Sequence, residues 1–359
     1  MARLLVTGGA GFIGANFVHY WLQENPGDRV VVLDALTYAG NLSNLEAVRA
    51  RPELTFVRGT IGDTPLMESL LREEALDTLV HFAAESHVDR SIAGPDPFID
   101  TNVSGTHSLL KAARRVWIDE KRVASHRFHQ VSTDEVYGSL RPEDSPFTES
   151  TPYAPNSPYS ASKAAADHLV RAYQHTYGLA VTTSCCSNNY GPYQFPEKLI
   201  PLMIVHILEG KSLPVYGDGR HVRDWLHVLD HCHGIERILV RGRSGAVYNL
   251  GGRCECANLT LVRKVCQIAD ECFAADPALG ERFPNSPAAR GASAELIRLV
   301  KDRAGHDRRY AIDCSKAERE LGFSARTSLA AGLRRTFDWY LEHETWWRAI
   351  REGSYRESA

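Results

Sequence analysis

The first 34 residues constrain the fold most. A short apolar run at 3–7 ends in Thr7-Gly8-Gly9-Ala10-Gly11-Phe12-Ile13-Gly14, and residues 12–23 then place Phe12, Ala15, Phe17, Val18 and Leu22 near helical spacing. A strand that turns through glycines into a helix opens a nucleotide-binding α/β sheet. Gly8, Gly11 and Gly14 permit the tight turn, let backbone amides approach a pyrophosphate, and allow helix and strand to pack closely. The helix N-terminus then stabilises the anion. A lone glycine pattern is an ordinary turn; its position between strand and helix makes this one a dinucleotide site. The second apolar run, 29–33, ends at Asp34. A carboxylate there accepts hydrogen bonds from a ribose diol and repels a 2′-phosphate. Ala35, Leu36 and Thr37 follow with no arginine, which favours NAD over NADP.

Strand-like runs continue at 54–57, 78–82, 127–131, 180–184 and 246–250, with helical spacing at 64–74, 102–117 and 160–177. This alternation predicts a Rossmann-type, doubly wound parallel sheet covered on both faces. The second half differs. Residues 188–221 are rich in Tyr, Pro and Gly, and 253–345 are mainly helical, interrupted by a polar stretch at 276–310. The expected organisation is therefore an NAD-binding domain from 1–187 plus about 222–252. A smaller, mainly helical domain is expected from about 188–221 plus 253–345. With 359 residues, 43% of them hydrophobic, the chain can bury a large core.

A net charge of −3 without a long basic run argues against nucleic-acid or anionic-membrane surfaces. The eight cysteines form no Cys-x-x-Cys pair, so reduced thiols are expected rather than a metal site or a disulfide framework. No apolar stretch approaches the ~20 residues of a membrane span, and a strand beginning at Arg3 leaves no room for a signal peptide. A cytoplasmic protein is expected.

Tyr159-Ser-Ala-Ser-Lys163 puts a phenol and an ammonium on one helix face. A phenol ionises near pH ~10, and neighbouring positive charge favours the phenolate. Tyr159 can then take a proton while hydride leaves the same carbon. Thr133 is expected just beyond the strand at 127–131, on the carboxyl edge where open α/β sheets bind ligands. Its hydroxyl can orient the alcohol. Asp134 and Glu135 follow. From spacing alone they read equally as loop carboxylates, as a helix start, or as an acid and a base.

With these motifs placed, the chain resembles the dTDP-glucose 4,6-dehydratases of the extended short-chain dehydrogenase/reductase family. The resemblance runs from Leu4 to about residue 340. It is sharpest in TGGAGFIG at 7–14, HFAAESHVDRSI at 81–92, VSTDEVYG at 131–138, YSASKAAADHLVRAY at 159–173, SNNYGPYQFPEKLIP at 187–201, RDWLHVLDH at 223–231 and DRAGHDRRYAID at 302–313. Related epimerases share the glycines and Tyr-x-x-x-Lys but usually lack the Asp-Glu pair.

The resemblance implies oxidation of glucose C4 by NAD, with Tyr159 as base and Thr133 on the same oxygen. Glu135 then removes the C5 proton, Asp134 protonates the departing C6 hydroxyl, and hydride returns to C6. It also implies NAD contacts from Thr60, Ile61, Phe82, Ala83, Ala84, Ser86, Thr101, Lys163 and Asn189. Substrate contacts are implied for Ser86, Asn188, Asn189, Lys198, Leu199 and Arg223, whose guanidinium fork suits a diphosphate. Pro214, Val215, Tyr216 and Asn258 are expected to flank the nucleobase or phosphate, and Asp302, Arg303 and His306 to close over the nucleotide. A homodimer through the helices near 97–117 and 159–177 is implied as well.

Two departures stand out. Thr60 and Ile61 occupy a segment where the family often has an acidic residue for the adenine amine. Cys254 and Cys256 stand where polar residues are usual. The competing readings are a C4 epimerase, a UDP-glucuronate decarboxylase, a dehydratase for another nucleotide sugar, and a nucleotide-sensing protein on the same fold.

Overall fold

Seven parallel strands form the central sheet in the computed structural model, which describes residues 1–356. They are β1 (Arg3–Thr7), β2 (Arg29–Asp34), β3 (Leu54–Arg58), β4 (Thr78–His81), β5 (Arg127–Thr133), β6 (Val181–Cys186) and, late in the chain, β10 (Val247–Leu250). Their order is β10-β6-β5-β4-β1-β2-β3. Leu4, Leu5, Val6 and residues 30–33 are all buried, without alternation, because helices cover both faces. Val6 pairs with Val32 on one side and Val80 on the other. The strand order reverses at β1 and β4, and a crevice for ligands opens beyond their carboxyl ends.

One face is filled by Phe17, Val18, Trp21 and Leu22 of the helix Phe12–Glu24 together with Ile235 and Ile238. The other is filled by Met67, Leu71, Leu109, Leu110, Trp117 and Val170. The helix expected at 102–117 is one part of a longer helical body through Ile99–Gly105, Thr106–Ala113 and Arg114–Asp119, with wider π-type turns at both ends.

The remaining strands are β7 (Asn188–Tyr190), β8 (Leu213–Tyr216), β9 (Val222–His227), β11 (Glu255–Ala257) and β12 (Ile297–Val300). They form a three-stranded sheet β11-β9-β7 and a parallel pair β12-β8. A second core gathers Ile200, Met203 and Ile204 of the helix Leu199–Glu209, Leu261, Val262 and Val265 of Asn258–Ala275, and Phe337, Tyr340 and Trp347 of the C-terminal helices. Trp225 of β9 joins this core, whereas Leu226, next in the same strand, joins the first. Ala317 and Leu321 of the helix Ser315–Leu321, with Phe323, also pack into the first core, although they lie inside the segment assigned to the smaller domain.

Candidate active site

A cavity of about 370 Å³ opens at the β1–β4 crevice. That is enough for a small ligand to be largely enclosed. Gly8, Gly11, Phe12, Ile13 and Gly14 form one wall. Gly8 has φ +71°, and a Cβ there would stand 2.6 Å from the Ala83 nitrogen. A Cβ on Gly14 would collide with the Gly8 carbonyl oxygen. The sequence thus keeps backbone, not side chains, against whatever occupies the turn.

Asp34 ends β2 and is 7% exposed. It accepts from the amides of Ala10 at 2.9 Å and Leu36 at 2.8 Å. Burial raises its pKa and the two amide bonds oppose that shift. A carboxylate so placed keeps lone pairs for a ribose diol, and the open glycine turn admits a pyrophosphate. These residues fit NAD. Ala35, Thr37, Thr60, Ile61, Phe82, Ala83, Ala84, Ser86, Thr101 and Asn189 also line the cavity. Leu36 lies outside that lining; its amide, at φ +52°, instead fixes Asp34.

Thr133, Asp134, Glu135, Tyr159 and Lys163 all line the same cavity. Thr133 is the last residue of β5 rather than a loop residue. It caps the single turn Asp134–Tyr137, accepting from the Glu135 amide at 3.3 Å. The helix Pro158–Tyr177 starts earlier than expected, because Ser157 and Ser160 cap each other reciprocally and Pro158 suits its first turn. Tyr159 therefore sits in that first turn, and Lys163 lies one turn deeper. Lys163 Nζ donates to the Val131 carbonyl at 2.8 Å. Burial lowers its pKa, and Asp167 opposes that shift most.

Expectation and structure part over the Tyr159 proton. Burial, then the charges of Glu135, Cys186 and Asp134, hold the phenol well above its usual range, with a Thr133 hydrogen bond opposing. Without a ligand's positive charge the site favours the phenol over the phenolate.

The two carboxylates differ in surroundings. Asp134 is 2% exposed, and its Oδ2 has no hydrogen-bond partner. Burial above all, then Glu135 and Asp224, holds it well above the usual carboxylate range. Burial also raises Glu135, but Arg223, Arg303 and Lys198 pull it back.

The expected substrate residues divide into two groups. Asn188, Asn189, Ser86 and Lys198 line the cavity. The buried Asn188 Oδ1 has no partner, leaving an acceptor for a ligand. Asn189 Oδ1 lies 2.9 Å from His231 Nδ1, and Lys198 Nζ donates to the Ser86 carbonyl at 3.2 Å. Leu199, Pro214, Val215, Tyr216, Arg223, Asn258, Asp302, Arg303 and His306 lie beyond that lining. Val215 corrects an expectation: it is buried in the second core, so its side chain has no face for a base. Arg223 stacks on Tyr310 at 4.2 Å and donates to the carbonyls of Val222 and Asp307. Asp302 accepts from His306 at 2.6 Å and faces His221 at 3.3 Å, while the two imidazole rings stack at 3.7 Å.

Sequence reasoning missed Tyr38, Glu85, Gln194, Phe195 and Glu197 in the cavity wall. It also missed Asp167, which accepts from Ser132 at 2.5 Å, Tyr153 at 3.2 Å and Gln130 at 3.3 Å behind Lys163. Asp167 could have been found, since it follows Lys163 by four on one helix.

Comparison with known proteins places this geometry. The sequence profile described as GDP-mannose 4,6 dehydratase matches residues 5–336. A dTDP-glucose 4,6-dehydratase of Xanthomonas campestris pv. campestris is 54% identical, covering 99% of this chain and 98% of that one. One from Neisseria meningitidis serogroup B is 48% identical over 99% and 98%. The crystal structure of DesIV (dTDP-glucose 4,6-dehydratase) from Streptomyces venezuelae with NAD and TYD bound superposes with a TM-score of 0.84. It has 48% identity and covers 97% of this chain and 99% of that one.

Proposed function

This chain belongs to the dTDP-glucose 4,6-dehydratase family of extended short-chain dehydrogenase/reductases, and we infer that it converts dTDP-glucose to dTDP-4-keto-6-deoxyglucose with NAD. The observation that carries this reading is the Asp134–Glu135 pair, held at the end of β5 beside Tyr159 in one cavity. An epimerase needs one proton acceptor at C4. Removing water across C5–C6 needs an acid and a base besides.

When bound, NAD supplies the hydride acceptor for C4, the hydride for C6 and a positive charge beside the phenol. Thr133 holds the C4 hydroxyl, and Tyr159 takes its proton as the C4–H bond breaks. Lys163, anchored on Val131, holds its own charge beneath Tyr159. The C4 ketone acidifies the C5 proton. Glu135, facing Arg223, Arg303 and Lys198, takes it. Asp134, kept protonated by burial, gives its proton to the C6 hydroxyl, which leaves as water. Hydride then enters at C6, and Glu135 returns a proton to C5. The proton taken by Tyr159 replaces, through solvent, the one Asp134 gave, and the net change is loss of one water.

The Rossmann portion, 1–187 with about 222–252, holds NAD, and 188–221 with most of 253–345 holds the nucleotide sugar. Ala317 and Leu321 pack in the first core, which supports counting the helix Ser315–Leu321 with the former. Two copies pair through the helices near 97–117 and 159–177, where Ile99 and Tyr177 are exposed. Among the described residues no helix is long and apolar enough to cross a membrane, and we place the enzyme in the cytoplasm.

Incubation of purified protein with dTDP-glucose tests the reading, by the chromophore that a 4-keto sugar develops in alkali. Formation of the keto product is expected. Conversion to dTDP-galactose with no keto sugar would overturn it.

A further inference from the structure

We propose that the C-terminal segment is a strap, in which Tyr340, Trp346 and Tyr355 hold the walls of the cofactor cavity together and set how slowly NAD leaves. This rests on the assignment of that cavity to NAD.

Two loops far apart in sequence line the cavity together with the glycine turn. One contributes Thr37, Tyr38 and Gly40, the other Gln194, Phe195 and Glu197. The Tyr38 and Phe195 rings meet edge to face at 5.8 Å. Each loop is tied to the end of the chain. The Tyr340 hydroxyl donates to the Gln194 carbonyl. The Tyr355 hydroxyl donates to the Tyr38 carbonyl at 2.5 Å, and its ring stands 6.1 Å from Phe195.

Trp346 reaches the glycine turn itself through one intermediary. Its Nε1 donates to Asn44 Oδ1 at 2.8 Å, and Asn44 Nδ2 donates to the Ala10 carbonyl at 2.9 Å. Asn44 is buried and its bond to Ala10 is shielded from water, while the bond from Trp346 is partly so. The same Trp346 ring, with Trp339, packs edge-on against Tyr193, which adopts φ +63° at the start of the second loop. Tyr193 in turn stacks on His19 of the first helix. Three walls of one cavity thus converge on one C-terminal stretch, made of the helices Leu329–Glu342 and Glu344–Glu352 and the turn Ser354–Arg356. A dinucleotide lying between them leaves only when the walls part, and parting breaks these contacts. Trp346 and Tyr355 act through Asn44 and Tyr38, so they are positioning residues.

The test uses Trp346→Phe and Tyr355→Phe, which remove one hydrogen bond each and keep an aromatic ring at each position, and the double variant. NAD release from the purified holoenzyme is followed by trapping the freed cofactor. Thermal midpoints are recorded with and without NAD. Each substitution is expected to speed release about 3- to 10-fold, the range of one net hydrogen bond, and the double variant more. The stabilisation that NAD gives, holoenzyme minus apoenzyme, should shrink with it. Release at the wild-type rate with that difference unchanged would overturn the strap, whatever happens to the stability of the fold. A wild-type protein that binds no NAD would overturn the cofactor assignment instead.

Discussion

The Asp134 carboxyl is buried with its Oδ2 unpartnered, while Glu135, one residue on, faces the cations Arg223, Arg303 and Lys198. Burial raises the pKa of both and Arg223 opposes the rise at both, but Glu135 and Asp224 add to it at Asp134, whereas Arg303 and Lys198 also oppose it at Glu135. Such divergence separates an acid from a base at one pH. Under the proposed function, Asp134 then gives the proton that leaves with water and Glu135 takes the proton from C5.

Glu135→Gln should leave C4 oxidation intact and block the next step. NADH is expected to accumulate on the enzyme after dTDP-glucose is added, while exchange of the C5 proton with solvent slows by about 10²–10⁴-fold. Absorbance of bound NADH and deuterium uptake at C5 check both halves.

Asp134→Asn should spare C5 exchange and slow C6–O cleavage by a similar factor of about 10²–10⁴. Measuring C5 deuterium uptake against keto-sugar formation in the same sample separates it from the Glu135 variant.

The same carboxyl gives a stability signature. Its folded pKa is raised, whereas the unfolded value is about 3.9. Well below pH ~4 both states hold the proton and Asp134 costs little. As pH rises from there through the folded pKa, the unfolded chain ionises first and stability is lost. Asp134→Asn removes that loss, so its thermal midpoint should gain on the wild type as the pH is raised above about 4. Melts of both proteins across that rise measure it.

Gly14→Ala places a methyl group against the Gly8 carbonyl and must open the glycine turn. NAD affinity should fall about 10-fold or more, read by titration calorimetry.

The chemistry legible in the sequence is local chemistry. The glycine turn, Asp34 after β2 and Tyr159 four residues before Lys163 are fixed by short spacing and by strand–helix periodicity. Thr133 was legible as a residue, though not as the last position of its strand, because the polar end of β5 stays paired with β6 through Cys186. The environments of Asp134 and Glu135 were not legible. They arise from burial, from Asp224 near Asp134, and from Arg223, Arg303 and Lys198 near Glu135, which only the folded chain brings together. Tyr38, Phe195 and Tyr355 meet across more than 300 residues, and no periodicity carries that contact. Val215 looked like a nucleobase neighbour beside Pro214 and Tyr216, but strand alternation turns it into the second core.

The central claim is that hydride leaves C4 and returns to C6 of the same sugar. dTDP-glucose carrying deuterium at C4 tests it most directly, with the product analysed by NMR or mass spectrometry. The deuterium is expected at C6 of the 4-keto-6-deoxy product, within the molecule it came from. Deuterium retained at C4 of an epimerised sugar, or lost to solvent, would contradict the account.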